Sequence, residues 1–342
     1  MPNPAALPLP VLILLFLGAA AVILAAGSRL AGAADKLADA TGLGEAMTGA
    51  IIMGAITSLP GIVTSVAAAA QNHPELAVSN AMGGIAAQTA FLVIADFAYR
   101  RANLEHAAVS LANLVDGAAL IGLIALVLLA ASGPEVSILG VHPVTPFLFA
   151  AYLFSKDVAL KARKYPMWKA EQTTETRYDR PDDGHRRHSI VRLSAEVAFL
   201  GLITAVAGFA VAQTGIGLIE TAGLQESLVG AVFTALATST PELVTTIAAV
   251  RRGALQLAVG GILGGNTFDV LFAGAADAAY REGSIYHAMG ADTVFLSVLA
   301  VVMTTILLMG LLRRQPHGFA NIGFESFAVL LFYLGGLFVI AI

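Results

Sequence analysis

Residues 57–106 are written a second time, 181 positions further along the chain. Laid on 238–287 without a gap, the two stretches agree at 19 of 50 positions. Thr57-Ser58-Leu59-Pro60 falls on Thr238-Ser239-Thr240-Pro241, and Gly83-Gly84 falls on Gly264-Gly265. Asp96, Tyr99, Arg100 and His106 fall on Asp277, Tyr280, Arg281 and His287. Chance does not hold charged residues at one fixed offset. The fold must therefore contain two copies of one unit, either a duplicated transporter half or a duplicated structural unit.

The medium in which these copies fold follows from composition. Of 342 residues, 57% are hydrophobic and only 12% charged, and mean hydropathy is +0.80. Such a chain is an integral membrane protein. It has no Cys, which excludes a disulfide framework and a thiolate metal site. A bilayer-crossing helix needs roughly 20 apolar residues. That rule predicts ten spans, near 8–28, 45–71, 75–98, 106–131, 141–158, 192–214, 225–250, 256–279, 288–311 and 321–341. The first starts without a basic residue (Met1-Pro2-Asn3-Pro4) and stands in the place of a repeat element, so it is read as a span rather than a cleaved signal.

The net charge of -4 says less than its distribution. With the N-terminus outside, 18 of the 19 Lys and Arg fall on inner loops, ten of them between Lys156 and Arg192, and only Arg281 faces out. That asymmetry supports ten spans with both termini outside and the long loop in the cytoplasm. Five spans per copy is an odd number, so the second copy enters the membrane the other way up. The predicted fold is an all-α integral membrane protein of ten transmembrane helices. It forms two inverted-topology five-helix repeats, with helices 2 and 7 broken. Residues 1–158 make the first repeat, 159–191 a cytoplasmic loop and 192–342 the second repeat. The loop is a solvated connector, or a short amphipathic helix whose basic residues touch lipid headgroups.

Two acids lie deep inside spans. A carboxylate there costs about 2.5–3.5 kcal/mol on insertion scales. Glu242 follows Pro241, which has no N–H and should bend or break its helix, leaving the carbonyl of Ala237 without its usual partner. Thr238, Ser239 and Glu242 share a helical face, and so do Asn266 and Asp269 on the next span. These hydroxyl, carbonyl, amide and carboxylate oxygens are hard ligands suited to Ca²⁺ or Na⁺. The first copy is weaker. Thr57, Ser58 and Pro60 repeat the break, but Gly61 stands for Glu242, Ile85 for Asn266 and Gln88 for Asp269. Pro60, Gly61 and Pro241 are the expected helix-break or gating positions. Asp96 and Asp277 are either interfacial anchors or groups of a vestibule or proton relay. Asp116, beside Asn113, is either an extra proton or cation group or half of a polar pair between helices. His106 and His287 open spans four and nine as interfacial residues or pH sensors.

These residues resemble the two signature repeats of the sodium/calcium exchanger superfamily, the cation/calcium antiporters. Thr238-Ser239-Thr240-Pro241-Glu242 and Gly264-Gly265-Asn266-Thr267-Phe268-Asp269 carry the resemblance, with Thr57-Ser58-Leu59-Pro60 matching the first half of the other copy. The pattern of spans extends it over nearly the whole chain. The resemblance implies binding positions at Thr57, Ser58, Gly61, Gly84 and Gln88, and at Thr238, Ser239, Glu242, Gly265 and Asp269. Gly61 departs from the Glu that calcium exchangers usually carry in both halves, which marks a divergent member with a degenerate first repeat. Gly84 and Gly265 stand where Ser is usual.

The expected function is secondary active antiport by alternating access, exchanging Ca²⁺ or another cation for Na⁺ or H⁺. The alternative is monovalent Na⁺/H⁺ exchange without calcium transport. No His-Glu-x-x-His, Cys nucleophile or Gly-x-Ser-x-Gly marks an enzyme, and a passive channel or non-transporting sensor is the remaining class. The expectation is a cell-membrane (plasma or inner membrane) protein without a cofactor. Its partners are lipids and inorganic cations, with no nucleic acid and no obligatory protein partner.

Overall fold

The computed structural model describes residues 7–41, 54–99, 103–166, 168, 189–315 and 323–342. Their regular structure is helical. In chain order, α1 is Leu9–Thr41, α2 Leu59–Ala69, α3 Pro74–Ala98, α4 Leu104–Ala108, α5 Leu111–Ser132 and α6 Val144–Lys164. The second half has α7 Ile190–Ala222, α8 Glu226–Arg252, α9 Leu255–Ala279, α10 Ala291–Arg313 and α11 Phe324–Ala341. Eight of these (all but α2, α4 and α6) are long and apolar enough to cross a membrane.

The offset of 181 governs far more than the matching stretch. Shifted by 181, the bounds of α1 become those of α7, and the bounds of α3 become those of α9. Little identity links α1 to α7, so their equal lengths reflect a shared architecture. Contacts are duplicated as well. Asp96 accepts from the backbone N–H of Leu104 and Gly323 and from the Ser326 hydroxyl (2.7, 3.3 and 2.8 Å). Asp277 accepts from the N–H of Ile285 and His142 and from the Thr145 hydroxyl (3.2, 2.8 and 2.6 Å). Each partner in one set stands 181 residues from its counterpart in the other. The ring of His106 meets the carbonyl of Arg314, while the ring of His287 meets the carbonyl of Gly133, again one offset apart. Contacts that exchange in this way relate the halves by an approximate two-fold rotation, as in an isologous interface.

The same rotation places the long helices. Glycine at 27 and at 208 lets a helix pass directly over a proline-bearing one. A Cβ on Gly27 would lie 2.5 Å from Cγ of Pro241, and one on Gly208 would collide with the backbone of Pro60. So α1 of the first half lies across α8 of the second, and α7 lies across α2. Burial then sorts the layers. The most apolar window of α3 is 83% buried and that of α9 is 72%, against 22% for α1. Leu14, Leu17, Phe199 and Leu202 point outward from the long helices. The apolar exterior and small, partly polar centre are those of a membrane protein.

Two of the expected spans are not plain apolar crossing helices, and the second of the ten carries its expected interruption. Of the segment expected at 45–71, residues 45–53 lie outside the described residues. Its described part is interrupted at Ser58 before α2 begins. Segment five is α6, long enough to span but carrying Lys156, Asp157, Lys161, Arg163 and Lys164 in its second half. Most of the 159–191 loop also lies outside the described residues.

Candidate functional site

The centre of the bundle is where α3 and α9 meet. Both are buried on nearly every side, so a polar group on either must find a partner inside the protein or a ligand. Gln88 of α3 donates from Nε2 to Oδ2 of Asp269 on α9 at 2.6 Å. These two residues are counterparts in the repeat, so the two-fold axis runs between them. Asn266 likewise donates to the carbonyl of its own counterpart, Ile85, at 3.4 Å, and to the Thr89 hydroxyl at 3.1 Å.

The proline-bearing helices close the ring. Ser58 donates to Oδ1 of Asp269 at 2.6 Å, and Gln88 Nε2 lies 3.2 Å from the Ser239 hydroxyl oxygen. Ser58 and Ser239 are counterparts too, so one contact is the rotated image of the other. The four side chains are 4% exposed or less. Glu242 is also buried, three residues beyond Ser239 on the same face of α8.

Three acceptor oxygens here have no hydrogen-bond donor: Oε1 of Gln88, Oδ1 of Asn266 and Oε2 of Glu242. Buried acceptors without donors are expensive, and a cation satisfies several at once. Among the described residues, no three acids or histidines gather into a ready-made metal centre. A cation held here would combine the two carboxylates, Glu242 and Asp269, with hydroxyl and amide oxygens. A Cβ on Gly84 would stand 3.4 Å from the Ser239 hydroxyl, and one on Gly265 3.7 Å from Gln88 Oε1, so both glycines border the same space.

Thr57 and Thr238 stand one residue before the two serines. Thr238 bonds back to the carbonyl of Thr234 at 2.9 Å, and Thr57 to that of Gly54 at 3.2 Å, so both hydroxyl protons are spent on their own helices. Their oxygens keep lone pairs as acceptors.

The break expected at Pro241 does not occur. Helix α8 runs through it unbroken, because the Thr240 hydroxyl donates to the carbonyl of Ala237 at 3.0 Å in place of the missing N–H. The carbonyl expected to face an ion is thereby engaged. The irregularity of α8 is a π-helical turn at Val229–Thr234, and the other interruptions fall at Ser58 and at Val270, directly after Asp269. Helix interruptions thus do lie next to site residues: at Ser58, with Pro60 in the first turn of the restarted helix, as expected in the first half, and away from Pro241 in the second.

Gly61 has a physical explanation. A Cβ there would lie 2.6 Å from the ring of Phe272, which fills the space a side chain would need. An aromatic ring of the opposite half stands where the side chain of a second Glu would begin. Asn80, absent from the sequence-based site, donates to the Gly61 carbonyl and to Ser65, and accepts from Thr234. A polar side chain among the buried residues of a membrane-length helix is its only sequence signal.

The remaining acids divide. Asp96 and Asp277 accept three hydrogen bonds each from the loops and helices they clasp, so their oxygens are committed to structure. Asp116 on α5 pairs with Lys156 on α6 at 2.9 Å, a polar pair between helices. Counted from sequence, Lys156 falls in the inner loop. It is 6% exposed, because α6 turns it inward.

Comparison with known proteins identifies the family and the fold. The family described as sodium/calcium exchanger protein matches residues 11–155 and 194–341, which is nearly all of both halves. The inner membrane protein YrbG of Escherichia coli (strain K12) is 27% identical over 326 residues, covering 91% of each chain. The fold is shared with the H+/Ca2+ exchanger CAX at a TM-score of 0.69 and 16% identity, over 96% of this chain and 84% of that one. It is shared also with the sodium-calcium exchanger NCX_Mj at 0.57 and 17% identity, over 95% and 98%. The chain belongs to the sodium/calcium exchanger protein family.

Proposed function

We propose that this protein is a secondary active cation antiporter that exchanges Ca²⁺ or another cation for Na⁺ or H⁺ by alternating access. Family membership supports cation antiport in general. The observation that carries the finer reading is the ring of Ser58, Asp269, Gln88 and Ser239 at the two-fold axis, with donor-less oxygens on Gln88, Asn266 and Glu242 around it. A site on a pseudo-symmetry axis is contacted by both halves. Rocking one half against the other then opens it to one side or the other without moving the site itself.

In this reading, Glu242 and Asp269 supply the charge that offsets the cation, and Ser58, Ser239, Gln88 and Asn266 supply neutral oxygens. Thr57 and Thr238 fix the serine-bearing turns. Ten spans arranged as inverted repeats fit two-fold-related halves of five spans each. Both termini then lie outside and the 159–191 loop in the cytoplasm, in a cell or inner membrane. The transported cations are substrates, with no resident cofactor, no enzymatic step and no partner beyond lipids and ions.

The test is gradient-driven cation uptake into proteoliposomes. Wild type should exchange, and Glu242→Gln should lose exchange while remaining folded. Full activity in that variant would remove Glu242 from the site.

A second reading keeps the fold and makes the substrate monovalent. The Phe272 ring in the Gly61 space favours it, since only one half contributes acids at this depth. Calcium that neither drives nor competes with sodium-dependent uptake would select this reading.

A further inference from the structure

A lysine ammonium inside a membrane protein is costly unless its charge is matched. Lys156 is buried on α6, and its Nζ is 2.9 Å from Oδ1 of Asp116 on α5. The same nitrogen is 3.4 Å from the carbonyl oxygen of Gly264 on α9 and 5.4 Å from the ring centroid of Tyr152. A carboxylate, a backbone carbonyl and an aromatic face are the surroundings a bound monovalent cation receives. The ammonium is itself a compact, strongly hydrated point charge.

The setting joins this group to the exchange site. Gly264 precedes Gly265, which borders Gln88. The Tyr152 ring stands edge-on to Phe268 at 5.8 Å, and Phe268 precedes Asp269. The pocket therefore backs onto the segment of α9 that carries the cation ligands. It also breaks the repeat. The counterparts of Asp116 and Lys156 are Ser297 and Leu337, and Ser297 only bonds back to the carbonyl of Thr293. The ion pair therefore stands in one copy only, beside the site.

We propose that Asp116, the Gly264 carbonyl and the Tyr152 ring form a second cation pocket, and that the Lys156 ammonium fills it as a tethered cation in place of a mobile one. The ligand class is a monovalent alkali cation. The inference rests on the antiporter reading for its importance but not for its test. Lys156 then sets how many mobile ions the protein holds: removing the ammonium frees a carboxylate already provided with neutral ligands.

Equilibrium binding of radiolabelled Na⁺ to purified protein tests this. Lys156→Met should bind one Na⁺ per chain more than wild type, and Lys156→Met combined with Asp116→Asn should return to the wild-type count. If Lys156→Met does not fold in low salt, saturating Na⁺ should restore it, and the count is then made in Lys156→Gln. An unchanged count in a folded variant overturns the proposal. So does a gained ion that survives neutralisation of Asp116. Misfolding of both single variants that Na⁺ does not relieve, with recovery only when Asp116 is also neutralised, overturns it too, since a cation pocket would refill. A wild type that binds no ion at the central site would defeat the antiporter reading instead, and would leave the difference between variants to be read as before.

Discussion

Gln88 and Asp269 are hydrogen-bonded at 2.6 Å and stand at equivalent positions of the two repeats. A residue can touch its own counterpart only on the rotation axis. The most asymmetric chemistry of the protein, an amide facing a carboxylate, therefore sits at its most symmetric point. One half brings the charge and the other brings a neutral group that both donates and accepts. Asp269→Asn keeps the size and loses the charge. The fold should survive, because Ser58 and Gln88 can still bond an amide. The rise in melting temperature produced by the transported cation should vanish. Thermal melts in detergent with and without Ca²⁺ or Na⁺ read this directly, and an undiminished rise would take Asp269 out of the binding set.

Phe272 fills the space beside Gly61, so restoring an acid there requires removing the ring. Gly61→Glu alone overpacks a close contact and buries an unmatched carboxylate, which together should destabilise by about 1–3 kcal/mol or more. Gly61→Glu with Phe272→Ala should recover part of that loss and raise calcium affinity relative to sodium. Denaturation midpoints and competition binding on the single and double variants check both halves of the claim. A single variant as stable as wild type would show that the ring does not exclude the side chain.

The clasps made by Asp96 and Asp277 should be equivalent. Each carboxylate accepts two backbone N–H groups and one hydroxyl at a helix–loop junction. Removing the acceptor leaves buried donors unsatisfied, which costs about 1–3 kcal/mol for each, with part recovered by relaxation. Asp96→Ala and Asp277→Ala should each lower the unfolding midpoint clearly. The protein that remains folded should keep wild-type ion selectivity in uptake assays. A selectivity change at unchanged stability would instead assign these acids to the ion path.

The repeat explains why so much of this was legible before any coordinates. A fixed offset pairs Ser58 with Ser239 and Gln88 with Asp269, and insertion cost alone marks Glu242 and Asp269 as residues with a purpose. What stayed hidden depended on side chains meeting across the chain. The exception is local: the Thr240 hydroxyl beside Pro241 reaches the carbonyl three residues back, a rotamer that the sequence does not specify, so a bend or break is expected where the helix continues. Nothing near Gly61 shows that Phe272, over two hundred residues away, occupies its space. Lys156 lies at the edge of an apolar stretch before a basic loop, and hydropathy averages it into that loop. Only the facing position of Asp116 shows that it turns inward. The equal lengths of α1 and α7 were hidden for another reason: lipid-facing positions require only apolarity, so the copies have drifted in sequence while keeping their geometry.

At one end of the bundle, His73 in the turn between α2 and α3 meets Glu226 at the start of α8, Nδ1 to Oε1 at 2.7 Å. The other oxygen of Glu226 accepts from the N–H of Leu76 at 3.1 Å, so the pair ties the two halves together. The hydrogen bond to Glu226 raises the His73 pKa above the usual histidine value; burial opposes this, and the charges of Glu226 and Glu220 add to it. A histidine whose pKa is higher in the folded state contributes stability that is fully present below its unfolded pKa. That contribution is lost as pH rises through the folded value. Wild type should therefore lose stability from near pH 6.5 upward relative to His73→Gln, which cannot titrate. The difference in melting temperature between the two proteins should be largest in mild acid and shrink toward alkaline pH. A constant difference across that range would mean that His73 is neutral throughout and that its contact with Glu226 is an ordinary hydrogen bond.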